Sequence, residues 1–277
     1  MQKFSFKRYL KALCWYLQYN RNRLLMWTLG SALCVFAGQL FMAWIMLSSD
    51  TVSAAFQYHH FVYNTTFFFA ILLVLISLIG FASLFERILK KQRAAAFLML
   101  PASNAEKYAV LMTYVTVVWP LCVFLAIAMG DTLRMLTEPL LKEVGYVSCV
   151  PRMIQFLTPD VFTGRNGFSL VAFIFTVVAL VWVHSMYIAG GSVFRKHAFV
   201  IVTVAQGVLI SAVAYLWHLL FPRLTLTLMS NINGEVSVNP CLWLITLILA
   251  AWAFYNYRLS YRVFKKLQVI NHQLTNL

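Results

Sequence analysis

Charged residues are scarce in this sequence, and acidic residues are scarcer than basic ones. Asp, Glu, Lys and Arg make up 11% of the 277 residues, whereas hydrophobic residues make up 62% and the mean hydropathy is +0.78. Average soluble domains are about 25% charged and roughly 45–50% apolar. A water-soluble core could not hide this much apolar surface, so the composition predicts that lipid surrounds most of the chain.

The sequence also lacks the short motifs of common catalytic and metal sites. It has no GxxxxGK[ST], HExxH or GxSxG stretch, and its five cysteines show no CxxC or paired spacing. Without the first motif the chain cannot hold ATP in a P-loop, and cysteines within apolar runs behave as small hydrophobes. We therefore predict no enzymatic activity, no cofactor and no metal centre, while a pairing of Cys149 with Cys241 stays open.

Six apolar runs of about 20 residues are each long enough to cross a hydrocarbon core of roughly 30 Å as a helix. Because the runs are continuous rather than alternating, they predict helices and not a β-barrel. The predicted fold class is an all-α polytopic membrane protein, with six transmembrane helices and an N-terminal amphipathic interfacial helix. The six spans are predicted at residues 24–47, 65–85, 108–129, 168–189, 198–221 and 241–261 within a transmembrane domain over 24–261.

The two ends of the chain are predicted to lie outside the spans. In residues 1–23, aromatic residues are mixed with Lys and Arg with the periodicity of an α-helix. Such a segment is typical of a helix in the membrane interface, with basic side chains toward lipid phosphates, so membrane lipids are a predicted partner. An irregular basic anchor is the alternative. Residues 262–277 are predicted to form a cytoplasmic tail.

The basic residues are distributed unevenly between the two sides of the membrane. The N-terminal segment, the second and fourth loops and the C-terminal tail hold 17 of the 22 Lys and Arg residues. The other side holds the remaining five, together with six of the eight Asp and Glu residues. Because Lys and Arg are enriched in cytoplasmic loops, both termini are predicted to be cytoplasmic. The net charge of +14 then requires no nucleic acid partner.

Polar residues inside the predicted spans are few, and no Asp, Glu, Lys or Arg is predicted to lie well inside one. Gln39, His184 and Gln206 are the candidates for lining a translocation path. The alternative is that they make interhelical hydrogen bonds, worth about 0.6–2 kcal/mol each. Pro120 is predicted to kink the third span.

The second loop combines an apolar stretch with a helix-start signal. Pro101 lacks a backbone N–H and disfavours helical geometry at the residue before it, so a break is predicted there. Ser103 and Glu106 form an S-x-x-E capping box, which predicts that a new helix begins at Ser103. The apolar residues before the break are Phe97, Leu98, Met99 and Leu100. They either dip into lipid or form a docking surface for a partner protein.

The stretch RAAAFLMLPASNAEKYAV resembles the loop between the second and third spans of ABC-2 type transporter permeases. Members of that family carry an Arg, a Leu-rich stretch, LP-x-S, an acidic residue and a helix that enters the membrane. The stretches FSFKRYLKALCWYLQYNRNRLL and GGSVFRKHAF are also similar to a group of ABC-2-like membrane proteins from Bacteroidetes.

The resemblance implies the permease subunit of an ATP-binding cassette (ABC) exporter in a bacterial inner membrane. It implies two protein partners, a separate cytoplasmic ABC ATPase and a second permease copy or paralogue. The implied ATPase-docking residues are Arg93, Phe97, Leu98, Met99, Leu100, Pro101, Ser103 and Glu106. The better-known exporters have outer re-entrant helices between spans five and six, whereas here the long loop is the third, over residues 130–167. The alternative function is a non-transporting scaffold or sensor subunit of a larger complex.

Overall fold

The structure is a computed structural model that describes residues 4–47, 54–83, 96–141, 148–157, 170–194, 197–220, 229–232, 235–238 and 241–266. The helices are α1 (Phe6–Leu47), α2 (Ala54–Ala82), α3 (Asn104–Thr113), a π-helical turn (Tyr114–Val118), α4 (Trp119–Leu141), α5 (Val150–Leu157), α6 (Leu170–Val193), α7 (Ala198–Leu220) and α8 (Cys241–Lys265). Between α7 and α8, β1 (Met229–Ile232) pairs antiparallel with β2 (Glu235–Val238), with Met229 opposite Val238.

Within the described residues, six helical stretches are long and apolar enough to cross a membrane, which confirms the predicted all-α polytopic membrane fold. A helix suits this solvent because all its interior backbone groups bond within the segment, and lipid offers them no other partner. The stretches are Phe6–Met42, Val62–Ala82, Asn104–Thr137, Phe173–Val193, Ala198–Leu216 and Leu242–Lys265. Each of them overlaps one of the six predicted spans.

The N-terminal segment and the first span form one helix, which differs from the sequence prediction. α1 has 42 residues and continues through residue 23, where the interfacial helix was predicted to end. At 1.5 Å per residue it rises about 63 Å, roughly twice the thickness of a hydrocarbon core. No Gly or Pro stands between Phe6 and Trp27 to interrupt it. α1 therefore carries the N-terminal segment into the first span without a break, whereas the sequence placed a boundary at residue 23.

The third span is longer than predicted and contains a π-helical turn. α3, the π-helical turn and α4 follow one another without a gap, whereas the sequence predicted a span over 108–129. Pro120 has no backbone N–H, and its ring crowds the carbonyl of Thr116. Just before it, the Trp119 N–H donates to the carbonyl of Tyr114, five residues back, as in a π-helix. A π-helical turn thus directly precedes the proline at which the sequence predicts a kink, and the kink itself stays a prediction.

The chain divides into two compact units. The first unit comprises Met1–Ser77 and Ala109–Val161, and the second comprises Leu78–Tyr108 and Phe162–Leu277. In the first unit α1 packs along α4, around a buried cluster of Val62, Phe69, Trp119, Val123, Ile127, Cys149 and Met153. In the second unit α6 packs against α7 and α8, with a buried cluster of Ala82, Tyr187, Ala198 and Val202.

Two glycines at the end of α6 permit close packing in the second unit. A Cβ atom added to Gly191 would collide with the backbone carbonyl of Ala82, at the end of α2. A Cβ atom added to Gly190 would collide with the side chain of Val202 in α7. Small residues are common at contacts between membrane helices because they let the backbones approach. The Gly-Gly pair of the GGSVFRKHAF stretch thus has a packing role.

Candidate functional site

Residues 96–107 fold into a compact turn that ends one helix and begins the next, and we call this segment the capped loop. Residues 96–98 are helical, and the chain leaves the helix at residues 99–103. The Leu100 N–H donates to the Phe97 carbonyl at 3.3 Å, and the Ala102 N–H donates to the Leu100 carbonyl at 2.7 Å. α3 then begins at Asn104. The helix breaks at Pro101, as the sequence predicts.

The capping box fixes where the third span begins. The Ser103 N–H donates to Glu106 Oε2 at 2.8 Å, and the Glu106 N–H donates to Ser103 Oγ at 3.3 Å. Each side chain thereby satisfies a backbone donor that the first helical turn leaves without an intrahelical acceptor. The buried Glu106 carboxylate also lies in the first turn, where the helix dipole favours a negative charge. Such a cap stabilises a helix by about 1 kcal/mol.

Lys107 joins the two sides of the break. Its Nζ donates to the carbonyl of Leu98 at 2.6 Å, although its side chain is mostly buried. Carbonyls at the end of a helix lack intrahelical partners, and a cation there also complements the helix dipole. The contact closes the capped loop on itself. Sequence reasoning missed it, because no short-range motif links residues nine positions apart across a proline.

The apolar residues of the capped loop differ in exposure, which narrows the predicted docking surface. Phe97 is 2% exposed and Met99 is 82% exposed. Leu98 and Leu100 are half-buried, and Pro101 is exposed. Phe97 therefore anchors the loop by burying its ring, while Met99 and Pro101 are the parts that a partner can reach. Arg93, the remaining predicted docking residue, lies outside the described residues.

A buried ion pair lies in α4, where the sequence predicted no ionisable residue well inside a span. The Arg134 guanidinium donates to Asp131 Oδ1 through Nη2 at 2.9 Å and Nε at 3.2 Å, and both side chains are fully buried. The helix continues beyond residue 129, where the sequence predicted the third span to end, so both residues lie near the end of the helical stretch Asn104–Thr137. Their i,i+3 spacing places the opposite charges on one helix face.

The Asp131 carboxylate also ties two other parts of the first unit to α4. Its Oδ1 accepts a hydrogen bond from Gln39 Nε2 of α1 at 3.2 Å. Its Oδ2 accepts from Ser148 Oγ at 2.7 Å and from the Cys149 N–H at 2.8 Å. The Val150 N–H, in the first turn of α5, donates in turn to Ser148 Oγ at 3.1 Å. One carboxylate thus contacts both the N-terminus of α5 and the C-terminal part of α1.

Two of the three predicted path-lining residues make hydrogen bonds between helices. Gln39, in the first unit, is 2% exposed and donates to the ion pair. His184, in the second unit, has its Nδ1 2.6 Å from Tyr257 Oη, and its ring packs edge-on against Phe81. These contacts are the alternative that the sequence left open. Gln206 is buried, and its Nε2 has no hydrogen-bond partner among the described residues. Its role as path lining stays a prediction.

Cys149 is a free thiol at the edge of the ion-pair cluster. It is fully buried, and its Sγ lies 3.8 Å from the carbonyl oxygen of Val62. Burial, followed by the negative charge of Asp131, raises the pKa of the Cys149 thiol to about 12. Because the thiolate is the reactive form, this cysteine is suited to packing rather than to chemistry. The side chain of Cys241 lies outside the described part of the chain.

We expect N-ethylmaleimide at neutral pH to label Cys14 and to leave Cys149 unmodified in the folded, detergent-solubilised protein. Cys14 is exposed and serves as the internal control. With a pKa of about 12, the labelling rate of Cys149 should rise about tenfold per pH unit as the thiolate forms. Mass spectrometry of timed digests from neutral to alkaline pH measures both rates. Equal labelling of the two cysteines at neutral pH would contradict the buried, protonated thiol.

No protein-family model, curated protein or solved structure matches this chain. The helices identify the fold as a membrane fold. The capped loop and the ion-pair cluster are the features of the chain that bear on its function.

Proposed function

We propose that this chain is the membrane-spanning permease subunit of an ABC exporter and that its capped loop receives a separate cytoplasmic ATPase. The observation that supports this function best is the continuity of the loop with a span. α3 begins at the capping box and runs through the π-helical turn into α4 without a gap. A partner that pushes on the loop therefore acts on the end of the third span.

The contacts of the capped loop suit it to transmitting a displacement. The capping box fixes one side of the break, the Lys107–Leu98 hydrogen bond closes it, and the buried Phe97 anchors the other side. Because the ends of the loop are fixed, a displacement of the loop is not lost through local unfolding. Met99 is the apolar side chain left for contact. The chain has no P-loop of its own, so the proposed ATPase would supply the driving force.

The proposed arrangement places the N-terminus, the capped loop and the C-terminus in the cytoplasm. Two spans separate the N-terminus from the capped loop, and four more separate the loop from the C-terminus. In this arrangement all three lie on one side of the membrane, and the distribution of Lys and Arg favours the cytoplasmic side. The proposed membrane is a bacterial inner membrane, where a second permease copy or a paralogue would complete the transporter.

The substitution Met99→Ser is expected to reduce co-purification of the ATPase about tenfold without unfolding the chain. Truncating an exposed apolar anchor at the centre of an interface costs more than about 1.4 kcal/mol of binding energy, which corresponds to that factor. The measurement is the amount of ABC ATPase from the source organism that elutes with the tagged full chain. Met26→Ser is the matched control, since Met26 is 76% exposed but lies in α1.

Two results would overturn the docking proposal. In one, the unmodified chain retains no ABC ATPase. In the other, the ATPase is retained equally by the unmodified chain and by the Met99→Ser variant while both show the same melting temperature.

A non-transporting scaffold or sensor subunit is the second candidate, and a separate observation favours it. Gln39 and His184, which were available to line a path, are engaged in hydrogen bonds within their own units. A scaffold requires fixed surfaces but no polar path. ATPase activity in liposomes separates the two candidates. An exporter subunit should stimulate its ATPase, and Met99→Ser should abolish the stimulation, whereas a scaffold should bind its partner without a change in hydrolysis.

A further inference from the structure

The exposed face of α8 changes from apolar to basic at Arg258. Its exposed apolar residues are Leu244, Leu247, Ile248, Phe254 and Tyr255. Four exposed basic residues follow them, namely Arg258, Arg262, Lys265 and Lys266, and we call these the basic stripe. At 3.6 residues per turn, both sets fall on the same side of the helix. The face is therefore continuous, and only its chemistry changes along its length.

The opposite face of α8 is packed within the second unit. Ser260, Val263 and Phe264 are buried there, and the ring of Tyr108 lies 5.7 Å from the Phe264 ring between centroids. Asn256 Nδ2 donates to Ser185 Oγ of α6 at 3.0 Å. These contacts hold the end of α8 in a fixed orientation. The basic stripe consequently points away from the unit, toward whatever surrounds the helix.

The basic stripe lies at the depth where hydrocarbon gives way to headgroups. From Leu242 to Arg258 the helix rises about 24 Å, close to the thickness of a hydrocarbon core of roughly 30 Å. The exposed apolar residues end at Tyr255, and aromatic residues of this kind concentrate at the membrane interface. Lipid tails match the apolar part of this exposed face, and the headgroups of the same lipids then lie at the depth of its basic part.

Among the described residues, no Asp or Glu forms an ion pair with the basic stripe. The sequence has no Asp or Glu after Glu235. The Lys265 Nζ lies 4.7 Å from the centre of the Tyr261 ring, a contact that orients the side chain without cancelling its charge. Four cations on two turns of helix are therefore open to anions around the helix.

We propose that the basic stripe binds the headgroups of anionic phospholipids in the leaflet around the end of α8. The phosphodiester and its negative charge match the sign of the stripe, and clusters of Lys and Arg next to a span attract such lipids. An acidic protein surface fits less well, because it would have to occupy the lipid-facing side of a membrane helix. The site is independent of ATPase docking at the capped loop, so either can fail without the other.

The test compares the full chain with the variant Arg262→Gln/Lys265→Gln in nanodiscs that contain equal amounts of phosphatidylcholine and phosphatidylglycerol. Native mass spectrometry counts the lipids that stay bound after release. The unmodified chain should retain more phosphatidylglycerol than phosphatidylcholine. The variant should lose most of this preference, because each basic residue near an anionic surface contributes about fivefold to the binding constant. Both side chains are exposed, so the melting temperature should stay unchanged.

A second variant, Arg262→Lys/Lys265→Arg, keeps both charges of the stripe and exchanges only the side chains that carry them. This variant should keep the preference for phosphatidylglycerol, because the sign and the positions of the charges are unchanged. The proposal is overturned if Arg262→Gln/Lys265→Gln retains the preference, or if both variants lose it equally. Loss of ATPase binding with lipid retention unchanged would instead identify an acidic protein as the occupant.

Discussion

Replacing Arg134 by alanine is expected to lower the free energy of unfolding by about 3–5 kcal/mol, because the change leaves a buried carboxylate without its counter-charge. Asp131 and Arg134 are both fully buried, and two nitrogen atoms of the guanidinium donate to one carboxylate oxygen. Exposed ion pairs are worth little, but removing one partner of a buried pair leaves the other with its full desolvation penalty. Differential scanning fluorimetry in detergent measures the loss, expected as a fall in melting temperature of about 10 °C.

The loss should begin locally, at the start of α5. The Cys149 N–H is held by Asp131 Oδ2, so disturbing the carboxylate exposes this amide to solvent. Hydrogen exchange of residues 148–154 should accelerate in the Arg134→Ala variant before the rest of the first unit responds. Arg21→Ala is the matched control, since Arg21 is an exposed arginine of the same unit and its loss should change stability by less than about 0.5 kcal/mol.

A double variant separates the effect of an uncompensated charge from the effect of a missing side chain. Asp131→Asn/Arg134→Met removes both charges together, so it should be less destabilised than Arg134→Ala alone. The introduced amide oxygen can still accept from Ser148 and Cys149. Its nitrogen can donate to Gln39 Oε1, which is buried without a partner among the described residues. Equal stability of Arg134→Ala and Arg21→Ala would show that the pair is not buried.

Features encoded by neighbouring residues could be predicted from the sequence. The six apolar runs identify the spans because a helix must be about 20 residues long to cross the membrane. The break at Pro101 and the box between Ser103 and Glu106 depend on residues within one helical turn, and the structure reproduces both. The docking function assigned to the capped loop is of a different kind, because no short-range pattern encodes a partner.

Features that depend on distant contacts could not be predicted. Gln39 finds its partner 92 residues away, and the Ser148–Asp131 hydrogen bond spans 17 residues that include a helix end. Composition alone suggested that a span ends where charge begins. Asp131 and Arg134 can both be buried in α4 because they neutralise each other, and predicting this requires knowing that they lie on one buried face. The continuity of α1 was not predicted, because the basic residues before Leu24 suggested a boundary at residue 23. The helix continues through that position.

Replacing Gly191 by alanine is expected to destabilise the second unit by about 1–3 kcal/mol, because the added methyl group has no room. The atom that it would meet is the backbone carbonyl oxygen of Ala82, which cannot rotate aside as a side chain can. α6 and the end of α2 must then move apart, and the buried cluster around Tyr187 loosens. The melting temperature of the full chain in detergent measures the effect.

The same glycine-to-alanine substitution at two further positions provides the matched controls. Gly190→Ala should cost less than Gly191→Ala, since the Cβ atom would meet a γ-methyl group of Val202 rather than a backbone atom. Gly207→Ala in α7 should be neutral or stabilising by up to about 1 kcal/mol, because no atom lies within 4 Å and alanine favours the helix. The cost of the substitution should therefore fall from Gly191 to Gly190 to Gly207. The added methyl group meets a backbone atom at Gly191, a side chain at Gly190 and open space at Gly207. A cost as large for Gly207 as for Gly191 would mean that α7 packs closely against another molecule at Gly207.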